Sequence, residues 1–230
     1  MSNLLITTIG EYNCLNSWTN SEKRDFDIAL VNYDYSMEVN DALKVGCVYF
    51  DEFPVFKYPG IWQMMTDATV LQKYDYYFMP DEDIDISGQQ ISELFAKMKE
   101  YDLALAQPSI EKSFVSFPSW EYFIHREGVD MIYSNFVEVM CPLFSREAIK
   151  ACLNTFNKSN SGWGLDLAWA KILEGDNIGI INSVIARHTR PVMGGGLYKA
   201  LQKLRISPYQ EKRKLMKEYG VNTIDIKLKT

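Results

Sequence analysis

Short apolar runs separated by amphipathic stretches recur along this chain, and that alternation constrains its fold more than any other feature. Residues 4–9, 27–32, 45–50, 74–79 and 103–106 read as strands. Helical patterns lie between them, the clearest over 87–101, where Ser87 followed by Gln90 offers a capping box. Strands spaced by helices imply parallel pairing through crossover connections. Farther on, 108–129 is irregular and aromatic-rich, as a substrate-facing loop would be. A strand (136–144), two helices (146–156 and 165–173) and a last strand (178–186) follow. The expectation is a single-domain α/β fold around a mainly parallel central sheet.

Composition bounds what such a fold does. The chain has 230 residues, 47% hydrophobic and 23% charged, enough for one substantial core. Its start, MSNLLITTIG, has neither the basic opening nor the apolar run of a secretory leader, and no stretch reaches the about 18 apolar residues of a membrane span. A cytoplasmic protein is expected, with Cys14, Cys47, Cys141 and Cys152 as reduced structural thiols, since no CxxC pair is present. The net charge of -6 hides an asymmetry: from Leu197 onward nine Lys or Arg face three acids. The chain therefore divides into a body, 1–196, and a basic, partly helical tail, 197–230. The tail either packs on the body through Leu197, Leu201 and Leu204 or makes peripheral contact with the inner face of a membrane or a phosphate-bearing partner. Nucleic acid is not expected, because no basic stripe is interleaved with aromatics.

Ligands of an open parallel sheet bind beyond the carboxyl ends of its strands, and those positions are unusual here. After the fourth strand stands Pro80-Asp81-Glu82-Asp83-Ile84-Asp85, four carboxylates in five residues. Crowded carboxylates repel unless a cation neutralises them, and Mn²⁺ or Mg²⁺ suits oxygen ligands completed by a diphosphate. The bland alternative is an acidic turn at a helix start. A second signal is Ser161-Gly162-Trp163-Gly164-Leu165-Asp166. There the glycines allow close backbone approach, Trp163 can stack on a sugar face, and Asp166 can accept a proton from an acceptor hydroxyl. A core Trp and a first-turn helix acid are the competing reading. The third is His188, bracketed by Arg187 and Arg190, with a Met193-Gly194-Gly195-Gly196 flap beyond. The imidazole can complete a carboxylate metal shell, and the two arginines can bind diphosphate oxygens.

In this order these elements resemble the metal-dependent glycosyltransferases of the A-type fold, a Rossmann-like nucleotide-diphospho-sugar transferase architecture. More closely, the chain resembles the family catalogued as domain of unknown function 707, through YDYYFMPDED, VEVMCPLFSREA, WGLD and VIARH, over roughly residues 3–195. The resemblance implies that Asp81 contacts the donor ribose or a metal-bound water, that Asp83 and His188 bind the metal, and that Asp166 is the base of an inverting transfer. It also implies that Thr8, Gly10 and Asp34 hold the nucleoside, with Lys57 near its phosphates. Asp85 stands where relatives are expected to carry glycine, and the tail lies outside the resemblance. The donor expected is a nucleotide sugar, uridine diphosphate leading, and the acceptor a glycan or lipid-linked hydroxyl that Trp163 and Glu138 would contact. Two other classes compete. Asp83-Ile84-Asp85-Ile86-Ser87 also fits the nucleophile turn of haloacid-dehalogenase-like phosphotransferases, with Glu174-Gly175-Asp176 as a poor later motif. A non-catalytic nucleotide-sugar-binding protein would need neither Asp166 nor a metal.

Overall fold

Both faces of the first strand are apolar, and each meets its own core. In β1 (Asn3–Ile9) the side chains of Leu5 and Ile9 point to one side and those of Leu4 and Ile6 to the other, all fully buried. The computed structural model describes every residue except 1, 22–23, 35–43, 45, 113–117, 192–195, 223–224 and 230, and only the main chain of 118–120. After β1 come α1 (Leu15–Thr19), β2 (Asp27–Asn32), β3 (Tyr49–Glu52), α2 (Lys57–Asp67), β4 (Tyr76–Phe78), β5 (Ile84–Asp85) and α3 (Gly88–Glu100). The chain continues through β6 (Leu105–Ile110), β7 (Met131–Ser134), β8 (Leu143–Ser145), α4 (Arg146–Cys152), α5 (Leu165–Ile172) and β9 (Ile178–His188). It ends with α6 (Gly196–Lys203), α7 (Pro208–Glu218) and β10 (Leu228–Lys229).

The sheet runs β10-β7-β9-β6-β8-β4-β1-β2-β3. Pairing is parallel across β3-β2-β1-β4 and again between β6 and β9. Antiparallel β8 joins the two parallel blocks, and antiparallel β7 and β10 extend the far edge. Pro108, which has no N–H to give a ladder, sits where the register of β6 against β9 slips. One layer packs α1 and α3 on the sheet through Trp18, Ile91, Leu94, Phe95 and Met98. Ser87 caps α3 as expected: its Oγ accepts the Gln90 N–H at 3.2 Å while its own N–H donates to Gln90 Oε1 at 3.0 Å. The opposite layer centres on Trp169, whose ring meets Phe144 at 5.0 Å and Tyr58 at 5.4 Å. Its Nε1–H is satisfied by Thr155 Oγ1 at 3.0 Å, so this large ring is buried without an orphaned donor.

Some elements differ from expectation. The third strand is Tyr49–Glu52, and Val45, its expected start, lies outside the described residues. Of the apolar run 136–144 only its last two residues are strand, within Leu143–Ser145, and Met131–Ser134 is a strand ahead of it. Pro142 interrupts the run, yet the segment still follows the chain leaving β4, with the Met79 and Asp81 N–H groups donating to the Pro142 and Met140 carbonyls. That irregular continuation carries Glu138 to the side of Asp81. The helix from Arg146 tightens into a 3-10 turn at Leu153–Lys158, where Thr155 Oγ1 donates to the Cys152 carbonyl. All four cysteines are free thiols. Among the described residues, no helix is long and apolar enough to cross a membrane.

Candidate functional site

The carboxyl ends of β1 and β4 and the last residues of β9 converge on one cleft of about 540 Å³. Three of the four carboxylates after β4 line it, and Arg190 is shared by two of them. Asp81 Oδ1 accepts from Lys57 Nζ at 2.6 Å, and the same ammonium donates to the Val139 and Met140 carbonyls at 3.2 Å. Glu82 is a hub: it accepts the Gly10 N–H and the Tyr33 hydroxyl at 2.6 Å each and Arg190 Nη2 at 2.8 Å. Asp83 is nearly buried, 8% exposed, and its Oδ2 accepts Arg190 Nε at 3.0 Å. The antiparallel pairing of β5 with β9 sets Ile84 opposite His188 and thereby brings His188 Nε2 to 3.7 Å from Asp83 Oδ2.

Asp83 and His188 are the residues that could hold a hard divalent ion shared with a ligand. Asp83 and His188 offer one carboxylate and one imidazole at the cleft wall, and among the described residues the side-chain bonds of Asp83 fall on Oδ2, leaving Oδ1. Among the described residues no cluster of three or more His, Cys, Asp or Glu can hold a metal. Two protein ligands suit an ion such as Mg²⁺ or Mn²⁺ that takes its other ligands from phosphate and water.

Asp166 lines the same cleft from the first turn of α5. Burial pushes its carboxyl up to about 6, against the lowering effect of the Leu167 N–H, which donates to Oδ1 at 2.8 Å, and of the Lys212 charge. Glu138, also in the cleft, is pushed to about 8 by burial and then by the nearby Asp166. Its backbone and carboxylate are fixed, the N–H donating to Gln107 Oε1 at 2.7 Å and Oε2 accepting the Met140 N–H at 2.6 Å. Two carboxyls whose protonation the fold shifts to different extents thus face the same cleft, an arrangement that could serve acid–base chemistry.

Trp163 lines the cleft half-buried, the Tyr209 ring 5.0 Å away and its Nε1–H donating to Tyr198 Oη at 3.3 Å. Gly162 and Gly164 adopt φ of +79° and +90°, a left-handed region in which other residues are strained, so this turn requires its glycines. A Cβ at Gly164 would also lie 2.9 Å from the Lys212 Cα.

The structure thus gathers Thr8, Lys57, Asp81, Asp83, Glu138, Trp163, Asp166, His188 and Arg190 on one cleft and leaves other expected residues outside its lining. Arg187 alternates to the opposite face of β9 from His188 and pairs with Glu111 at 3.6 Å, so the two bracketing arginines do not act together. Gly10 serves the cleft through its N–H on Glu82 and through a close approach to the Tyr33 ring, which a Cβ would meet at 2.5 Å. Asp34 follows β2, its N–H donating to Asn32 Oδ1 at 3.1 Å. Asp85 faces away, in register with Arg187. Glu174, Gly175 and Asp176 form an exposed turn apart from the cleft, which removes the second motif of the phosphotransferase reading. Met193, Gly194 and Gly195 of the expected flap lie outside the described residues.

Sequence reasoning missed the tail's part. Leu197, Tyr198, Ala200, Tyr209 and Lys212 line the cleft. Glu211 accepts the Asn160 and Ser161 N–H groups at 2.9 Å each, clamping the loop that leads into Trp163. Nothing local in EKRKLMKEYG marks this, because the partners of Glu211 lie some 50 residues away in sequence.

The architecture is the A-type glycosyltransferase fold. The crystal structure of S. aureus TarS 1–349 in complex with UDP-GlcNAc is similar with a TM-score of 0.57 at 12% identity, covering 96% of this chain and 66% of that one. That of S. aureus TarS gives 0.51 at 10% identity, covering 95% and 43%. The chain therefore spans less than two thirds of the TarS chains it matches. No curated protein sequence matches it significantly. The chain belongs to the family described as protein of unknown function (DUF707), whose model matches residues 19–224. That match runs through α6 and α7, so the tail, expected outside the resemblance, is part of the family's own domain.

Proposed function

We propose that this chain is an inverting glycosyltransferase that uses a nucleotide sugar, a uridine diphosphate sugar foremost, and Mn²⁺ or Mg²⁺. The observation that carries the reading is the placement of Asp81, Asp83, His188, Lys57 and Arg190 on the same cleft as Asp166, on a fold shared with a TarS structure in complex with UDP-GlcNAc. All six residues line the cleft; in this reading Thr8 and Tyr33 would contact the nucleoside, Lys57 and Arg190 the diphosphate, and Asp83 with His188 would hold the ion. The ion, when bound, neutralises charge gathering on the leaving diphosphate. Asp166 takes the proton of the acceptor hydroxyl as its oxygen bonds to the anomeric carbon, while the bond from that carbon to the diphosphate oxygen breaks. One displacement inverts the centre, and the electron pair leaves with the nucleoside diphosphate.

The acceptor is a glycan or lipid-linked hydroxyl. Peripheral contact of the tail with anionic lipid is supported only by the exposed Lys199, Lys203 and Arg205 around exposed Leu204, and sedimentation with phosphatidylglycerol vesicles checks it. Thermal-shift measurements with UDP, with and without Mn²⁺, test the central reading, since a ligand of the folded state raises its stability. A Mn²⁺-dependent rise lost in Asp83→Ala supports it, and no rise with any nucleoside diphosphate overturns it. Asp166→Asn separates an enzyme from a binding protein: the enzyme loses turnover and keeps UDP binding.

A further inference from the structure

The acceptor half of the cleft is built by residues from two distant parts of the chain. Trp163 is held on one side by the hydrogen bond to Tyr198 and on another by the edge-to-face contact with Tyr209, whose rings are inclined by 70°. Tyr209 remains 57% exposed, and Lys212 lines the same wall. Unlike Lys57 and Arg190, Lys212 makes no ion pair among the described residues. The backbone of α7 abuts Gly164, and Glu211 fixes the loop before it, so this wall is preorganised.

We propose that α6 and α7 complete a saccharide subsite in which Tyr198, Tyr209 and Lys212 join Trp163 to seat a sugar ring of the acceptor beside Asp166. The inference rests on the transferase reading and names the class of its second substrate. A sugar ring pairs a C–H face with equatorial hydroxyls, and the wall pairs aromatic rings with the polar groups of Lys212, Glu138 and Asp166 to match. An alkyl chain laid here would strip water from those three groups and return no hydrogen bond. An extended peptide would find side chains of two helices and no open strand edge to pair with.

The test applies the intact chain, saturated with UDP and Mn²⁺, to an array of mono- to hexasaccharides. The expected result is binding to a defined glycan set, weakened about tenfold by Tyr209→Ala and by Lys212→Met and restored by Tyr209→Phe, the scale of one stacked ring. Melting curves confirm that the variants fold, and the UDP-induced thermal shift is expected to persist in each. Absence of glycan binding by a wild-type chain that still shows the UDP shift overturns the saccharide subsite and leaves the transferase reading standing. Glycan binding unchanged in both variants overturns the role of the tail. A wild-type chain that gives no UDP shift removes the transferase reading, and the subsite falls with it.

Discussion

Replacing Asp166 by Asn should abolish transfer and stabilise the protein, and the two effects have one origin. The fold holds this carboxyl at about 6, against an ordinary 3.8, because burial disfavours its charge. A folded-state value above the unfolded one means stability that is complete below 3.8 and is lost as pH rises through about 6. By linkage, the ionised form lowers stability by about 3 kcal/mol at pH 7.5 and by about 2 kcal/mol at pH 5. Asn keeps an oxygen for the Leu167 N–H but carries no charge, so Asp166→Asn should regain a gap of that size. Urea unfolding of both proteins at the two pH values measures it. Without the base, the catalytic constant should drop by about 10²–10⁴-fold with UDP affinity unchanged. The wild-type rate should fall as pH drops below about 6. A variant that is less stable than wild type at pH 7.5, or that gains equally at pH 5 and 7.5, would refute the assignment of a destabilising charge to this residue.

Glu138→Gln should gain stability over wild type increasingly as pH rises from the ordinary carboxylate range to about 8 and level off above it, because Glu138 stays protonated in the fold until then; thermal melts across pH 5–9 read the trend. Glu82→Ala leaves Gly10, Tyr33 and Arg190 without their shared acceptor and should cost about 2–4 kcal/mol in chemical denaturation, along with weaker UDP binding. Gly164→Ala forces a Cβ onto the Lys212 main chain at φ +90° and should cost at least about 1–3 kcal/mol while loosening α7; unchanged melting and unchanged Trp fluorescence would count against the tight packing described.

Much of the fold is legible in the sequence because it is local. Residues 27–32 form β2 as expected, residues 4–9 fall within β1, and Ser87 with Gln90 starts α3, since strand runs and capping boxes involve neighbours in sequence. The cluster Asp81–Asp83 and the turn around Trp163 and Asp166 also stand out, because residue types that packing disfavours crowd at strand ends. Pairing with distant segments is not local. Whether the run 136–144 is strand or loop depends on the chain leaving β4, and whether Arg187 or Arg190 serves the cleft depends on which face of β9 Arg187 occupies against β5 and where the chain carries Arg190 after β9 ends.

The sequence by itself carried the α/β class and the acidic turn after the fourth strand, and it marked Asp81, Asp83, Asp166 and His188 as candidates that the fold then brings to one cleft. Only the tertiary structure decided that Glu82 is the hub joining β1, Tyr33 and Arg190, that Asp85 and Arg187 face away, and that a basic tail completes the cleft. The physical reason is that charge and hydropathy along a chain report what a residue can tolerate, whereas its partner is set by which distant backbone the fold lays beside it. Glu211 looks like one more acid in a basic helix until the fold brings Asn160 and Ser161 against it.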